Sequence, residues 1–180
     1  LQTGTQIEDV EALAGLLENT TIDIQAGEDR QRIFLDGNEV TEDTRTPGVN
    51  AIVSQVSAIP IVREYLVRQQ REIARGWGDV VMDGRDIGTA VLPDAEYKIY
   101  LDASPEERVR RRWKECIEKG SSITADQVRQ EITLRDRIDS GRKVSPLKAA
   151  PGAMVLDTTR MTLPEVVSTI VDYVRGEKNG

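Results

Sequence analysis

Three short apolar runs constrain this chain most: "DVVMD" at 79–83, "KIYLD" at 98–102 and "AMVLD" at 153–157. Each is rich in apolar, β-branched or aromatic residues and lacks the in–out alternation of a strand with one wet face. Such runs suit strands buried in a parallel sheet. Helical segments lie between the last two runs and after the third, each with its own start signal. Ser104 with Glu107, and Pro105 in the first turn, open one; Thr124 with Gln127 open the next. Thr162 with Glu165 open the last, whose Val166, Val167, Ile170, Val171 and Val174 form an apolar face. Strand, loop, strand, two helices, strand, helix predicts an α/β fold built on a parallel sheet.

The first half is patterned differently. Thr5 and Glu8 have capping-box spacing, and Val10, Leu13, Ala14 and Leu17 follow at helical period. Ile22 and Ile24 alternate, as do Ile33 and Leu35, with turn residues at Gly27 and at Asp36-Gly37; this predicts a small antiparallel β insert. Ile52, Val53, Val56 and Ile59 recur as on a helix until Pro60 interrupts it, and a second helix runs to about Gly76. No internal repeat is visible, and the closing "GEKNG" reads as a frayed end.

With 180 residues, 38% of them apolar and 31% charged, the chain has the make-up of one folded domain with a substantial core. There is no histidine, which removes the usual transition-metal ligand and the commonest general base, so no metal site is expected. The lone Cys116 has no internal partner for a disulfide, and a reducing, cytoplasmic setting is expected. No apolar run approaches the roughly 20 residues of a membrane span. A net charge of −7 argues against duplex nucleic acid as a partner. The arginines nevertheless gather at 108–112 and 135–142, which suits a small anionic ligand.

The stretch "RDRIDSGRKVSPL" sets Arg135 four residues before Asp139 and Arg142 three after it, offsets that share one helix face. Val128 and Ile132 begin the same stripe, so it runs from a buried start to a charged end, as a helix entering a cleft would. After the first apolar run the chain breaks into Asp83-Gly84-Arg85-Asp86, with Gly88 soon after. Ligands of open α/β sheets bind beyond the carboxyl ends of strands, and an arginine there offers a planar fork to phosphate. From these residues alone a strand followed by a charged turn reads equally well. Ser54 and Arg63, and the run Arg108, Arg110, Arg111 and Arg112, are by themselves ordinary helix-surface residues.

Taken in order, "SQVSAIPIVRE", "MDGRDIGTAVLPDAEYKIYLDASPEERVRRR", "RDRIDSGRKVSPL" and "MVLDTT" resemble bacterial-type cytidylate kinase along nearly the whole chain. The resemblance implies a P-loop nucleoside monophosphate kinase-like fold: a parallel sheet flanked by helices, a small antiparallel insert and a helical lid. It implies one domain over 1–180, with a CMP-binding subdomain near 20–75 and a lid near 104–142. It also implies ATP-dependent phosphorylation of CMP and dCMP by a monomer, with Mg2+ held mainly through the nucleotide phosphates. On this resemblance Ser54, Arg63, Asp86 and Asp139 contact the cytosine or pentose. Arg85, Arg135 and Arg142 hold the CMP phosphate and the transferring group, and Arg108, Arg111 and Arg112 belong to the ATP lid.

The family pattern opens with a strand, a glycine-rich P-loop ending in Gly-Lys-Ser or Gly-Lys-Thr, and a helix. The 180 residues contain no G-x-x-x-x-G-K-[ST]. The expectation is therefore a chain lacking the N-terminal P-loop segment and inactive by itself. The alternative is a non-catalytic CMP-binding protein, or one completed by a partner.

Overall fold

The computed structural model describes residues 3–28 and 30–176. Helix α1 (Val10–Glu18) starts at Asp9, whose carboxylate accepts the Ala12 N–H at 2.9 Å. Thr5 and Glu8 are thus not the starting box. The Asp9 side chain reaches the third helical N–H directly and satisfies an orphan donor at that point.

Three antiparallel strands follow: β1 (Ile22–Gln25), β2 (Arg32–Leu35) and β3 (Asn38–Glu39), with Ile22 opposite Leu35 and Leu35 opposite Asn38. Asp36 at φ 51° and Gly37 at φ 80° make the two-residue turn whose twist matches a hairpin. At Gly27 a Cβ would lie 2.4 Å from the Arg30 carbonyl oxygen, so only glycine fits. The insert is tied to the core by Tyr65, whose hydroxyl donates to the Thr20 carbonyl at 2.7 Å.

Helices α2 (Pro47–Ser57) and α3 (Pro60–Trp77) are separated where the sequence says they should be. Ile59 is extended before Pro60, and the proline begins the new helix where its missing N–H costs nothing. Helix α3 runs to Trp77, and Gly78, at φ 74°, turns the chain out of it.

Residues 79–83 do not form the expected strand. Among the described residues no strand lies beside them, and Val81 is wholly exposed. An apolar run becomes a strand only when a neighbour completes its hydrogen-bond ladder. The chain then tightens into a single π-turn, Ile87–Val91, closed by the Leu92 N–H on the Ile87 carbonyl at 2.7 Å. The other two runs pair as expected. Strand β4 (Ile99–Asp102) lies parallel to β5 (Met154–Asp157), with Ile99 opposite Met154 and Asp102 opposite Asp157.

Between them run α4 (Pro105–Glu118) and α5 (Ala125–Gly141), which pack on each other, and α6 (Leu163–Arg175) follows β5. Thr124 with Gln127, and Thr162 with Glu165, form complete capping boxes. Ser104 caps α4 by accepting the Glu107 N–H, but the Glu107 carboxylate turns away to Arg110 and Arg111, so that box is half made. The architecture is α/β: a parallel pair flanked by helices, with a separate small antiparallel sheet. Residues 177–180, most of the expected frayed end, lie outside the described residues. Among the described residues no helix is long and apolar enough to cross a membrane.

The most deeply buried side chains are Val91, in the π-turn, and Val128, on α5. Val128 begins the stripe that leads to Asp139, so its packing fixes the depth of that carboxylate. Val128→Ala should lower the unfolding free energy by about 2 kcal/mol, from lost burial plus an unfilled cavity. The urea midpoint would show it, with an unchanged slope.

Candidate functional site

Asp139 is 2% exposed, and three guanidiniums approach it. Arg142 Nη2 lies at 3.0 Å from one carboxylate oxygen, and Arg85 Nε at 3.5 Å and Arg135 Nε at 3.7 Å from the other. Arg135 and Asp139 are one turn apart on α5, as their spacing predicts. Arg142 is not on the helix: at φ −59° and ψ 138° it is the residue on which α5 ends. The chain turns there and folds back, so that Leu147 N–H and Arg142 Nε both donate to the Asp139 carbonyl, at 2.8 and 3.2 Å. Arg142 is buried, whereas the Arg85 and Arg135 side chains are 38% and 49% exposed.

Three cations share one anion here, which leaves local positive charge uncompensated. Partial burial, and then the neighbouring Arg85 and Arg112 charges, hold the Arg135 guanidinium below the usual arginine range; Asp139 and Asp136 oppose them. A second anion beside these groups would relieve that repulsion. Planar forks of this kind match the oxygens of phosphate.

A second pair lies deeper. Arg63 Nη2 donates to Asp86 Oδ1 at 2.7 Å, and both side chains are more than nine-tenths buried. Asp86 is presented by the π-turn, where its carbonyl accepts the N–H groups of Thr89, Ala90 and Val91. Arg71 clamps the far end of that turn, donating from Nε and Nη2 to the Val91 and Ala90 carbonyls at 2.9 and 2.6 Å. Arg71 went unremarked in the sequence, although it falls two turns after Arg63 on the same side of α3. Four buried polar atoms of the site make no hydrogen bond among the described residues: Asp86 Oδ2, Asp139 Oδ2, Arg63 Nε and Arg142 Nη2. The two oxygens can only accept while ionised, so each awaits an N–H or O–H donor. Ser54, half-buried on α2, has a hydroxyl that makes no hydrogen bond among the described residues, and α2 packs against both α3 and α5.

The arginines expected in a lid are all engaged by protein groups. Arg108 pairs with Asp136 at 2.7 Å and joins α4 to α5. Arg111 pairs with Glu107 and also donates to the carbonyls of Thr158 and Met161, so it holds α4 to the loop after β5. Arg112 pairs with Glu115 at 2.8 Å. A cavity of about 410 Å3 opens at the carboxyl ends of β4 and β5, lined by Asp102, Ser104, Arg108, Asp157 and Thr159. Among the described residues no cluster of three or more histidine, cysteine, aspartate or glutamate side chains is placed to hold a metal ion.

The sequence model of one protein family, described as cytidylate kinase, matches residues 1–176. The chain belongs to the cytidylate kinase family. Among its relatives is a cytidylate kinase of Limosilactobacillus reuteri, 50% identical over 176 residues, which are 97% of this chain and 77% of that protein. Cytidylate kinases of Caldanaerobacter subterraneus and Bacillus cereus are 46% and 48% identical, over 100% and 98% of this chain and 78% of each of theirs. Membership makes the chain a phosphotransferase by family, and it accounts for a site whose excess charge is positive on a chain whose total charge is negative.

Glu107 links the cap of α4 to its arginines, and Arg110 and Arg111 hold its carboxyl down to about 2. A carboxylate depressed on folding contributes stability above its unfolded value, near 4.5, and loses it as pH falls toward 2. The Glu107 carboxyl resonance should therefore titrate near 2, and the start of α4 should loosen across that window. In Glu107→Gln the acid-dependent loosening should vanish.

Proposed function

We propose that this chain carries the CMP site of an enzyme that phosphorylates CMP and dCMP, with ATP as co-substrate. The observation that carries the reading is the trio Arg85, Arg135 and Arg142 gathered on the single carboxylate of Asp139. The trio binds the monophosphate and meets the charge that spreads over the equatorial oxygens as the phosphoryl group moves. In such transfers positioning and electrostatics supply almost all the catalysis. Asp86 Oδ2 takes the exocyclic amine of cytosine, Arg63 and Ser54 fix the base beside it, and Asp139 Oδ2 takes a pentose hydroxyl. The insert and the helices after it, about 20–75, form the CMP-binding subdomain. Residues 104–142 form the lid, in which Arg108 and Arg111 hold the helices together. Arg112, whose charge reaches Arg135, faces the phosphates. Mg2+ travels with ATP and is held mainly by phosphate oxygens, as no acidic cluster among the described residues is placed to cage it. The enzyme acts in the cytoplasm as a monomer.

A cytosine site of this kind discriminates by the donors its buried oxygens require. An adenine places its amine elsewhere and leaves Asp86 unpaired, a mismatch of a few kcal/mol. Calorimetric titration should show CMP binding at least tenfold more tightly than AMP. Equal affinities would defeat the cytosine assignment.

Arg135→Ala, in an enzyme competent for transfer, should lower kcat by roughly a hundredfold with a smaller change in KM for CMP, the pattern of a group that matters most as charge develops. Near-normal kcat would reduce the trio to a structural ion-pair cluster.

Residues 1–180 by themselves should not transfer phosphate. They contain no G-x-x-x-x-G-K-[ST], the motif that offers a nest of N–H groups and a lysine to the β- and γ-phosphates. The wholly exposed Val81 and the half-exposed Leu101 and Val155 support a reading in which more polypeptide packs here. An ADP-release assay compares this chain with a longer one that carries a P-loop. CMP-dependent turnover by residues 1–180 at the longer chain's rate would overturn the idea. Binding without turnover in both would favour the second reading, a non-catalytic CMP-binding or partner-completed protein.

A further inference from the structure

Arg71 also belongs to a second, separate basic feature. Arg68, Arg71 and Arg75 follow one another on α3 and, with Arg63, Thr89 and Ser145, line a cavity of about 560 Å3. The cavity shares Arg63 with the site around Asp86, touches the π-turn at Thr89 and Ala90, and runs on along α3. From Arg63 to Arg75 it follows α3 for about 18 Å at the helical rise per residue. Among the described residues Glu64 is the only carboxylate in its wall.

The arginines here are not neutralised as those of α4 are. Among the described residues none of Arg68, Arg71 and Arg75 has a carboxylate within ion-pair distance. Arg68 lies over the Tyr65 ring, 5.5 Å from its centroid, which steadies the guanidinium without using its N–H groups. Arg71 spends two of its five donors on backbone carbonyls and keeps the other three free of hydrogen bonds among the described residues. Arg63, nine-tenths buried at the inner end, has an Nε with no acceptor among the described residues. Ser145, on the opposite wall, is held at φ 53°, a conformation disfavoured for a residue with a Cβ. Its hydroxyl makes no hydrogen bond among the described residues. Backbone strain of this kind persists where surrounding structure fixes a ligand-facing group.

A row of guanidiniums longer than one phosphate, in a cavity large enough for a small molecule, fits a chain of phosphates. We propose that the α3 groove binds an oligophosphate anion, and that Arg63 couples its occupancy to the CMP pocket. The coupling rests on the function proposed above; the anion site does not. Arg63 belongs to both features: its Nη2 donates to Asp86 Oδ1, and its side chain lines the groove. An anion in the groove competes with Asp86 for the Arg63 charge and so weakens CMP, and CMP weakens the anion by the same factor.

The test is calorimetry on residues 1–180, titrated with inorganic triphosphate at saturating CMP so that the Asp139 trio is occupied. The wild-type chain should bind, and the double variant Arg68→Ala, Arg75→Ala should bind at least tenfold more weakly while its affinity for CMP alone is unchanged. Triphosphate should raise the Kd for CMP in the wild type and not in the double variant. Parallel titrations with CTP and ATP distinguish the source: tighter binding than triphosphate marks a nucleotide, equal binding the phosphate chain alone. Unchanged triphosphate affinity in the double variant, with loss in Arg135→Ala instead, would overturn the proposal by placing the anion on the trio. A wild-type Kd for CMP indifferent to triphosphate would overturn the coupling. If CMP fails to bind at all, the function reading falls, and the titration without CMP still decides the groove.

Discussion

Asp139 sets the terms for everything around it. One carboxylate, buried to 2% exposure, draws in guanidiniums from three different parts of the chain: the loop after residue 83, its own helix, and the residue that ends that helix. Without its charge the three would repel one another in a partly desolvated space. With it they are held close but not neutralised, and in the function proposed above that residual charge is what the phosphate meets. The depth of Asp139 comes from packing, because α5 begins on the fully buried Val128 and carries the carboxylate inward on the same side.

The Arg63–Asp86 pair plays a different part. Both members are buried, and breaking such a pair leaves a stranded charge at a cost of roughly 3–5 kcal/mol. It is therefore a rigid floor, positioned by a π-turn that Arg71 clamps from outside. Its unpaired oxygen is what would give the proposed pocket its selectivity, since a buried acceptor discriminates by what is missing as much as by what is present. In the proposed function the two clusters divide the labour, one holding charge and the other reading a base edge.

Arg111 shows how the same residue type is diverted to architecture. Its guanidinium reaches Thr158 and Met161, almost fifty residues on, and secures the loop after β5 against α4. Thr158 in turn donates to the Asp102 carbonyl, so the carboxyl ends of the two parallel strands are laced together. This lacing shapes the cavity at the strand ends, where an open α/β fold places its ligands.

What the sequence determined by itself lies within about four residues along the chain. The capping boxes at Thr124 and Thr162, the helix break at Pro60, the hairpin at Asp36-Gly37 and the Arg135–Asp139 pair were all legible, because each is a contact between near neighbours with fixed geometry. The family was legible too, from the order of motifs. Tertiary structure decided the rest. It left the apolar run at 79–83 without a strand partner among the described residues and took Arg142 off the helix while keeping it on Asp139. It also turned Arg108 and Arg111 into braces. The reason is the same in each case. Strand ladders, buried ion pairs and uncompensated charge depend on which distant segments the fold brings together, and spacing along the chain carries no record of that.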